Sequence, residues 1–132
     1  MQTNKVGILG NETHADHLHW VKACNNYSNN IDYSVIVLCD DGWLKEVQNA
    51  EFDFLLARPP GMTALYKQVY DERISIIDQV LHLPLFPTAQ EIFIYENKRY
   101  LYSWLEANHL PHPRTHVFCD KGDAQSFAAQ AA

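Results

Sequence analysis

Residues 34–38, SVIVL, are a β-branched run with no alternating polar face. A run of this kind suits a strand covered on both sides, the usual state of a parallel sheet. Upstream, residues 5–9, KVGIL, form a second short apolar run ended by Gly10, and it reads as a central strand. Between the two runs, Thr13 is placed to cap a helix from about His14 to Asn25, with Leu18, Val21 and Cys24 at helical spacing. Downstream, Asp40-Asp41-Gly42 turns into a short helix near Trp43 to Gln48. Residues 52–57 make a third strand, which Arg58-Pro59-Pro60-Gly61 stops because proline cannot donate to a ladder. Met62, Leu65, Val69, Ile76 and Val80 then mark one long helix. Strands and helices alternate with short connections, which predicts a three-layer α/β domain, a parallel sheet with helices on both faces.

The remainder reads as a short arm. Residues 83–86 add a brief fourth strand, and Thr88 and Glu91 stand at capping-box spacing before a helix. Asn97 opens a second helix with Leu101, Trp104 and Leu105 on one face. Residues 115–119 form a strand, and Asp123 caps a last helix. Residues 87–132 are thus a helix-strand-helix arm following a domain at 1–86.

The bulk properties narrow the function classes. With 132 residues, 47% of them hydrophobic, the chain buries one core. Sixteen acidic against ten basic residues give a net charge of -6, with no basic stripe to displace counterions from a phosphate backbone, so nucleic acid is not expected as a partner. No apolar run reaches the roughly 18 residues that span a bilayer, so a soluble protein without a membrane partner is expected. Cys24, Cys39 and Cys119 are odd in number and widely spaced, which reads as reduced thiols in a cytoplasmic protein.

Residues 87–115, PTAQEIFIYENKRYLYSWLEANHLPHPRT, carry a more specific signal. A capped helix, the pair Asn97-Lys98, an amphipathic helix and the exit Leu110-Pro111-His112-Pro113-Arg114-Thr115 follow one another. This order resembles the start of the nucleotide-binding half of ATP-grasp ligases, where an Asp-Lys pair and a Pro-x-Pro-x-Thr exit occupy these places. The resemblance is specific over about residues 83–118. It implies a Rossmann-like pre-ATP-grasp front domain at 1–86 and the beginning of the ATP-grasp module at 87–132. It further implies a parent enzyme of the carboxylate-amine type, in which ATP and Mg2+ turn a carboxylate into an acyl phosphate for an amine or similar nucleophile to attack. Lys98 aligns with a lysine that contacts nucleotide phosphates in several members. Asn97 replaces the commoner Asp, keeping the cap and losing the charge. The buried lysine of the next strand, the adenine hinge and the magnesium ligands lie beyond the resemblance, so these 132 residues are expected to be inactive alone and to hold neither ATP nor Mg2+. The Tyr and Trp side chains left bare at that edge favour pairing of two copies.

Three loops stand at the carboxyl ends of the predicted strands, where ligands of open α/β sheets bind. They are Gly10-Asn11-Glu12-Thr13, Asp40-Asp41-Gly42 and Arg58-Pro59-Pro60-Gly61. Arg58 is the leading candidate, because a guanidinium at a strand end grips a carboxylate through parallel hydrogen bonds. Gly10, Asn11 and Glu12 are candidates for the same substrate, although Glu12 repels an anion and favours a polar or amine-bearing one. Neither His14, His17 and His19 nor His109, His112 and His116 share a face well enough to make a metal site. The rival class is a stand-alone α/β ligand-binding or signalling module of flavodoxin-like or receiver-like type. Arg58 stands where a receiver needs its phosphorylated aspartate, and the loop after the first strand is a poor phosphate cradle for a flavodoxin.

Overall fold

The structure is a computed structural model and describes residues 3–27 and 29–131. The chain divides into two compact units, the first ending at Glu96 and the second beginning at Asn97.

In the first unit, β1 (Asn4–Gly10), β2 (Ile31–Val37), β3 (Phe54–Ala57) and β4 (Leu85–Phe86) form one parallel sheet in the order β2-β1-β3-β4. Helix α1 (Leu18–Asn26) covers one face; α2 (Trp43–Ala50), α3 (Ala64–Ile76) and α4 (Ala89–Ile94) cover the other. This is the Rossmann-like α/β fold, with helices on both faces. Period-two alternation divides each strand between two cores. Val6 and Ile8 of β1 meet Cys24, Trp20 and Val21 of α1. Leu9, Leu55 and Ala57 meet Val47, Tyr70, Ile74 and Ile92 on the larger side.

Strand β1 is central, as its run predicts, while β2 corrects the reading of SVIVL. β2 lies at the sheet edge, begins at Ile31, and leaves Ser34 and Val35 exposed. A β-branched run suits a pleated edge strand as well as a central one, and only strand order decides which it is.

Gly7 sits in the middle of β1 and faces the larger core. A Cβ there would lie 3.0 Å from Phe52 Cε2 and closer still to Leu55 Cδ2. Gly7→Ala is therefore expected to destabilise the chain by about 1–3 kcal/mol through overpacking, read as a shift in the urea midpoint without a change in slope.

The start of α1 is a second correction. Thr13 does not cap it. The Thr13 hydroxyl accepts from the N–H groups of Ala15 (3.3 Å) and Asp16 (3.2 Å), and His14 adopts the left-handed region at φ 56°. Local side-chain bonds hold these residues as turns, and the helix begins at Leu18 after His17. The long predicted helix forms as α3 and then widens into a π-helical segment at Ile77–Leu81. The capping box of α4 forms as read: Thr88 N–H and hydroxyl both donate to Glu91 Oε2, and Glu91 N–H donates back to the Thr88 hydroxyl. These bonds hold the Glu91 carboxyl below the usual glutamate range. Ala89 and Ile92 of α4 are buried in the larger core, so this helix belongs to the first unit and the unit boundary falls ten residues beyond Phe86.

In the second unit, Asn97 caps α5 (Lys98–Ala107), its Oδ1 accepting from Tyr100 N–H at 3.2 Å. No strand forms at 115–119. Residues 111–118 pair with no ladder among the described residues, and an unpaired extended segment has no backbone bonds to register it as a strand. Side chains hold it instead. His112 pairs with Glu106 at 2.9 Å and lies edge-on to Tyr102, and His116 packs on Phe127 of α6 (Lys121–Ala131) at 4.3 Å. Asp120, not Asp123, supplies the cap of α6, its Oδ1 accepting from Asp123 N–H.

Candidate functional site

Strands β2 and β3 flank β1 on opposite sides, and their connecting helices lie on opposite faces of the sheet. The crevice beyond the carboxyl ends of β1 and β3 is therefore the topological switch point, where open α/β sheets place their ligands. The loops beginning at Asn11 and Arg58 meet there.

Asn11 is fully buried and knits the two loops together. Its Nδ2 donates to Asp16 Oδ2 (3.0 Å) and to the Pro59 carbonyl (3.3 Å), while its Oδ1 accepts from Thr13 N–H (2.9 Å) and hydroxyl (2.8 Å). The amide is fully engaged inside the protein and acts by fixing Asp16. Gly10 closes β1 beneath the His17 ring, whose Nδ1 would be 3.0 Å from a Cβ at that position. His17 is 8% exposed, and its Nδ1 has no hydrogen-bond partner among the described residues.

Tyr70 clamps the two strand ends. Its hydroxyl donates to the Leu9 carbonyl (3.1 Å) and accepts from Arg58 N–H (3.1 Å), which also reaches Leu9 O at 3.2 Å. Burial pushes the phenol far above its ordinary range. With its backbone held this way, Arg58 projects a side chain that makes no hydrogen bond among the described residues. Its Nε is sealed from water without a partner, and its nearest carboxylate, Asp16 Oδ2, stands at 3.9 Å. The side chain as a whole remains 44% exposed.

Arg58 opens onto a cavity of about 520 Å³, within the range of small-molecule sites. Ala57, Ala23, Ile92, Pro59 and Pro87 supply aliphatic surface, and Trp20 and Tyr95 supply aromatic rings. Asp16, His19, Arg58 and Glu91 are its polar members. Glu12 does not line it. Both Glu12 carboxylate oxygens are sealed without hydrogen-bond partners among the described residues, and this side chain acts on Cys39, whose thiol is raised first by burial and then by the Glu12 charge.

The Asp40-Asp41-Gly42 loop is held by Arg73, which donates to the carbonyls of Leu38 and Asp40, both at 2.6 Å, and lies over the Trp43 ring. Lys98 is an exposed residue at the start of α5 in the second unit. Of the residues around this crevice, sequence reasoning singles out Arg58 but not Asp16, Trp20, Tyr70 or Tyr95. Only the spacing Asn11-x-Thr13-x-x-Asp16, a chain of turn-forming side chains, carried a signal for Asp16.

No protein-family model, curated protein or solved structure matches this chain. No described helix is long and apolar enough to cross a membrane.

Proposed function

We propose that this chain is the substrate-side domain of an ATP-dependent ligase that activates a carboxylate as an acyl phosphate for attack by an amine or similar nucleophile. A carboxylate is a poor electrophile until one oxygen becomes a leaving group, so such an enzyme first has to hold the acid still. Arg58 supports the reading: a guanidinium at the switch-point crevice, backbone-fixed by Tyr70, with every side-chain hydrogen bond still to be made. A surface arginine with a structural task would be spending those donors on backbone carbonyls, as Arg73 of α3 does on Leu38 and Asp40.

In the ligase, Lys98 would serve the nucleotide phosphates as a point charge. Among the described residues no group of three His, Cys, Asp or Glu side chains could hold a metal ion, and no phosphoryl-transfer step is assigned to them. Their part is to bind and orient the acid.

The reading is tested by titrating Mg-ATP into the 132-residue protein and into a polypeptide carrying about 200 further residues of its reading frame, the size of an ATP module. Nucleotide binding and acid-dependent release of ADP by the longer polypeptide only are expected, with Arg58→Met reducing ADP release by about 100-fold as a charged hydrogen-bonding partner is lost. Tight Mg-ATP binding to the 132 residues, or ADP release indifferent to Arg58, would overturn it.

A further inference from the structure

We propose that the cavity beside Arg58 binds an α-amino acid with a flat apolar side chain, its carboxylate on Arg58, its ammonium at Asp16 and its ring among Trp20, Pro59, Pro87 and Tyr95. The inference rests on Arg58 being the carboxylate grip of the proposed ligase and names what that carboxylate is attached to.

Charge decides between a plain acid and a zwitterion. Asp16 Oδ2 lies 3.9 Å from Arg58 Nε and is tethered by the buried Asn11 amide, so it does not swing aside when a ligand arrives. A carboxylate seated on Arg58 comes within a few ångströms of that fixed negative charge. Glu91, held ionised by its bonds to Thr88, adds a second. Two carboxylates against one guanidinium disfavour a ligand of net charge -1. An ammonium two bonds from the ligand carboxylate cancels the repulsion and gives Asp16 a partner of its own. The α-amino acid headgroup has this spacing.

The remaining surface decides the side chain. An indole and a phenol give this lining aromatic surface and two proline rings give it aliphatic surface, against which a planar ring packs and a charged or strongly hydrated side chain would lose its solvation. Ala23 and Ala57 keep the floor open for it. Nothing in this arrangement selects one hand at the α-carbon, so both enantiomers belong in the test.

The experiment is calorimetric titration of the 132-residue protein with L- and D-phenylalanine, phenylacetate, phenethylamine and alanine at millimolar concentrations, with circular dichroism confirming the fold of each variant. One phenylalanine enantiomer is expected to bind at least about tenfold more tightly than each truncated ligand. Arg58→Met should abolish its binding, Asp16→Asn should bring its advantage over phenylacetate close to unity, and Trp20→Ala should bring it down to the level of alanine. Phenylacetate binding as well as phenylalanine, with both lost in Arg58→Met, would overturn the zwitterion and leave the carboxylate grip standing. Phenethylamine binding as well as phenylalanine, and unaffected by Arg58→Met, would remove the grip too. Absence of binding by all five ligands would overturn the inference, while the ADP-release assay still judges the ligase reading separately.

Discussion

Replacing Lys67 by methionine is expected to lower the unfolding free energy by about 3–5 kcal/mol. Lys67 is only 6% exposed. Its Nζ donates to both oxygens of Asp71 (2.6 and 2.5 Å) and to the Ile92 carbonyl (2.9 Å), so one ammonium ties α3 to α4. Methionine fills the space of the stem but leaves a largely buried carboxylate and a carbonyl without donors. Changing Asp71 to leucine in the same chain removes the abandoned charge, and the double variant should regain most of the loss, because an apolar pair of similar volume often equals a buried ion pair. Urea unfolding of the two single variants and the double one measures this. A Lys67→Met cost under about 1 kcal/mol would mean that the pair behaves like a solvated surface bridge.

The pH dependence of the same pair follows from its burial. Desolvation outweighs the pull of Lys67 and holds the Asp71 carboxyl above the ordinary aspartate range. The folded state then keeps a proton that the unfolded chain releases. This contribution is present below the unfolded value and is lost as pH rises through the window above about 3.9. In Lys67→Met the carboxyl has lost its nearby cation, so the loss of stability with rising pH should be larger and should extend to higher pH than in the parent chain.

What the sequence made legible was local. A capping box needs only Thr88 and Glu91 at the right spacing, and both bonds formed; Asn97 opened its helix for the same reason. Strand order was not local. SVIVL carries the same side chains whether it lies in the middle of a sheet or, as here, at its edge, and the choice is made by the crossovers that put β1 between β2 and β3. Thr13 misled for a related reason. It has the chemistry of an N-cap, but Asn11 already accepts its N–H, and the paired turns that follow postpone the helix to Leu18. At the candidate site, Arg58 was legible because it follows a strand and precedes two prolines. Asp16, Tyr70 and Tyr95 reach the same crevice from the turn before α1, from α3 and from the end of α4, through contacts that no spacing along the chain announces.

Tyr70 is where that hidden packing should have the largest consequence for the site. The side chain is completely buried, so Tyr70→Ala should cost about 3–5 kcal/mol through the cavity it leaves. Tyr70→Phe isolates the hydroxyl. It leaves Arg58 N–H its bond to Leu9 O and removes only the two phenolic bonds, for a cost of about 1 kcal/mol at neutral pH. Above the ordinary tyrosine value, about 10, the unfolded chain loses the phenolic proton and the folded chain keeps it, because burial raises the folded-state value. Stability from this group therefore falls as pH rises, by about 1.4 kcal/mol per pH unit, in the parent chain and not in Tyr70→Phe. Contributions from the other tyrosines cancel in the difference, so the two stability curves should converge above pH 10 and cross near pH 11, beyond which the phenylalanine chain is the more stable. Parallel curves would mean that the phenol ionises in place and that the clamp joining β1 to β3 is open to solvent. A crossing would mean that the backbone of Arg58 is held by a hydroxyl sealed inside the protein, which is the rigidity a carboxylate grip at the switch point requires.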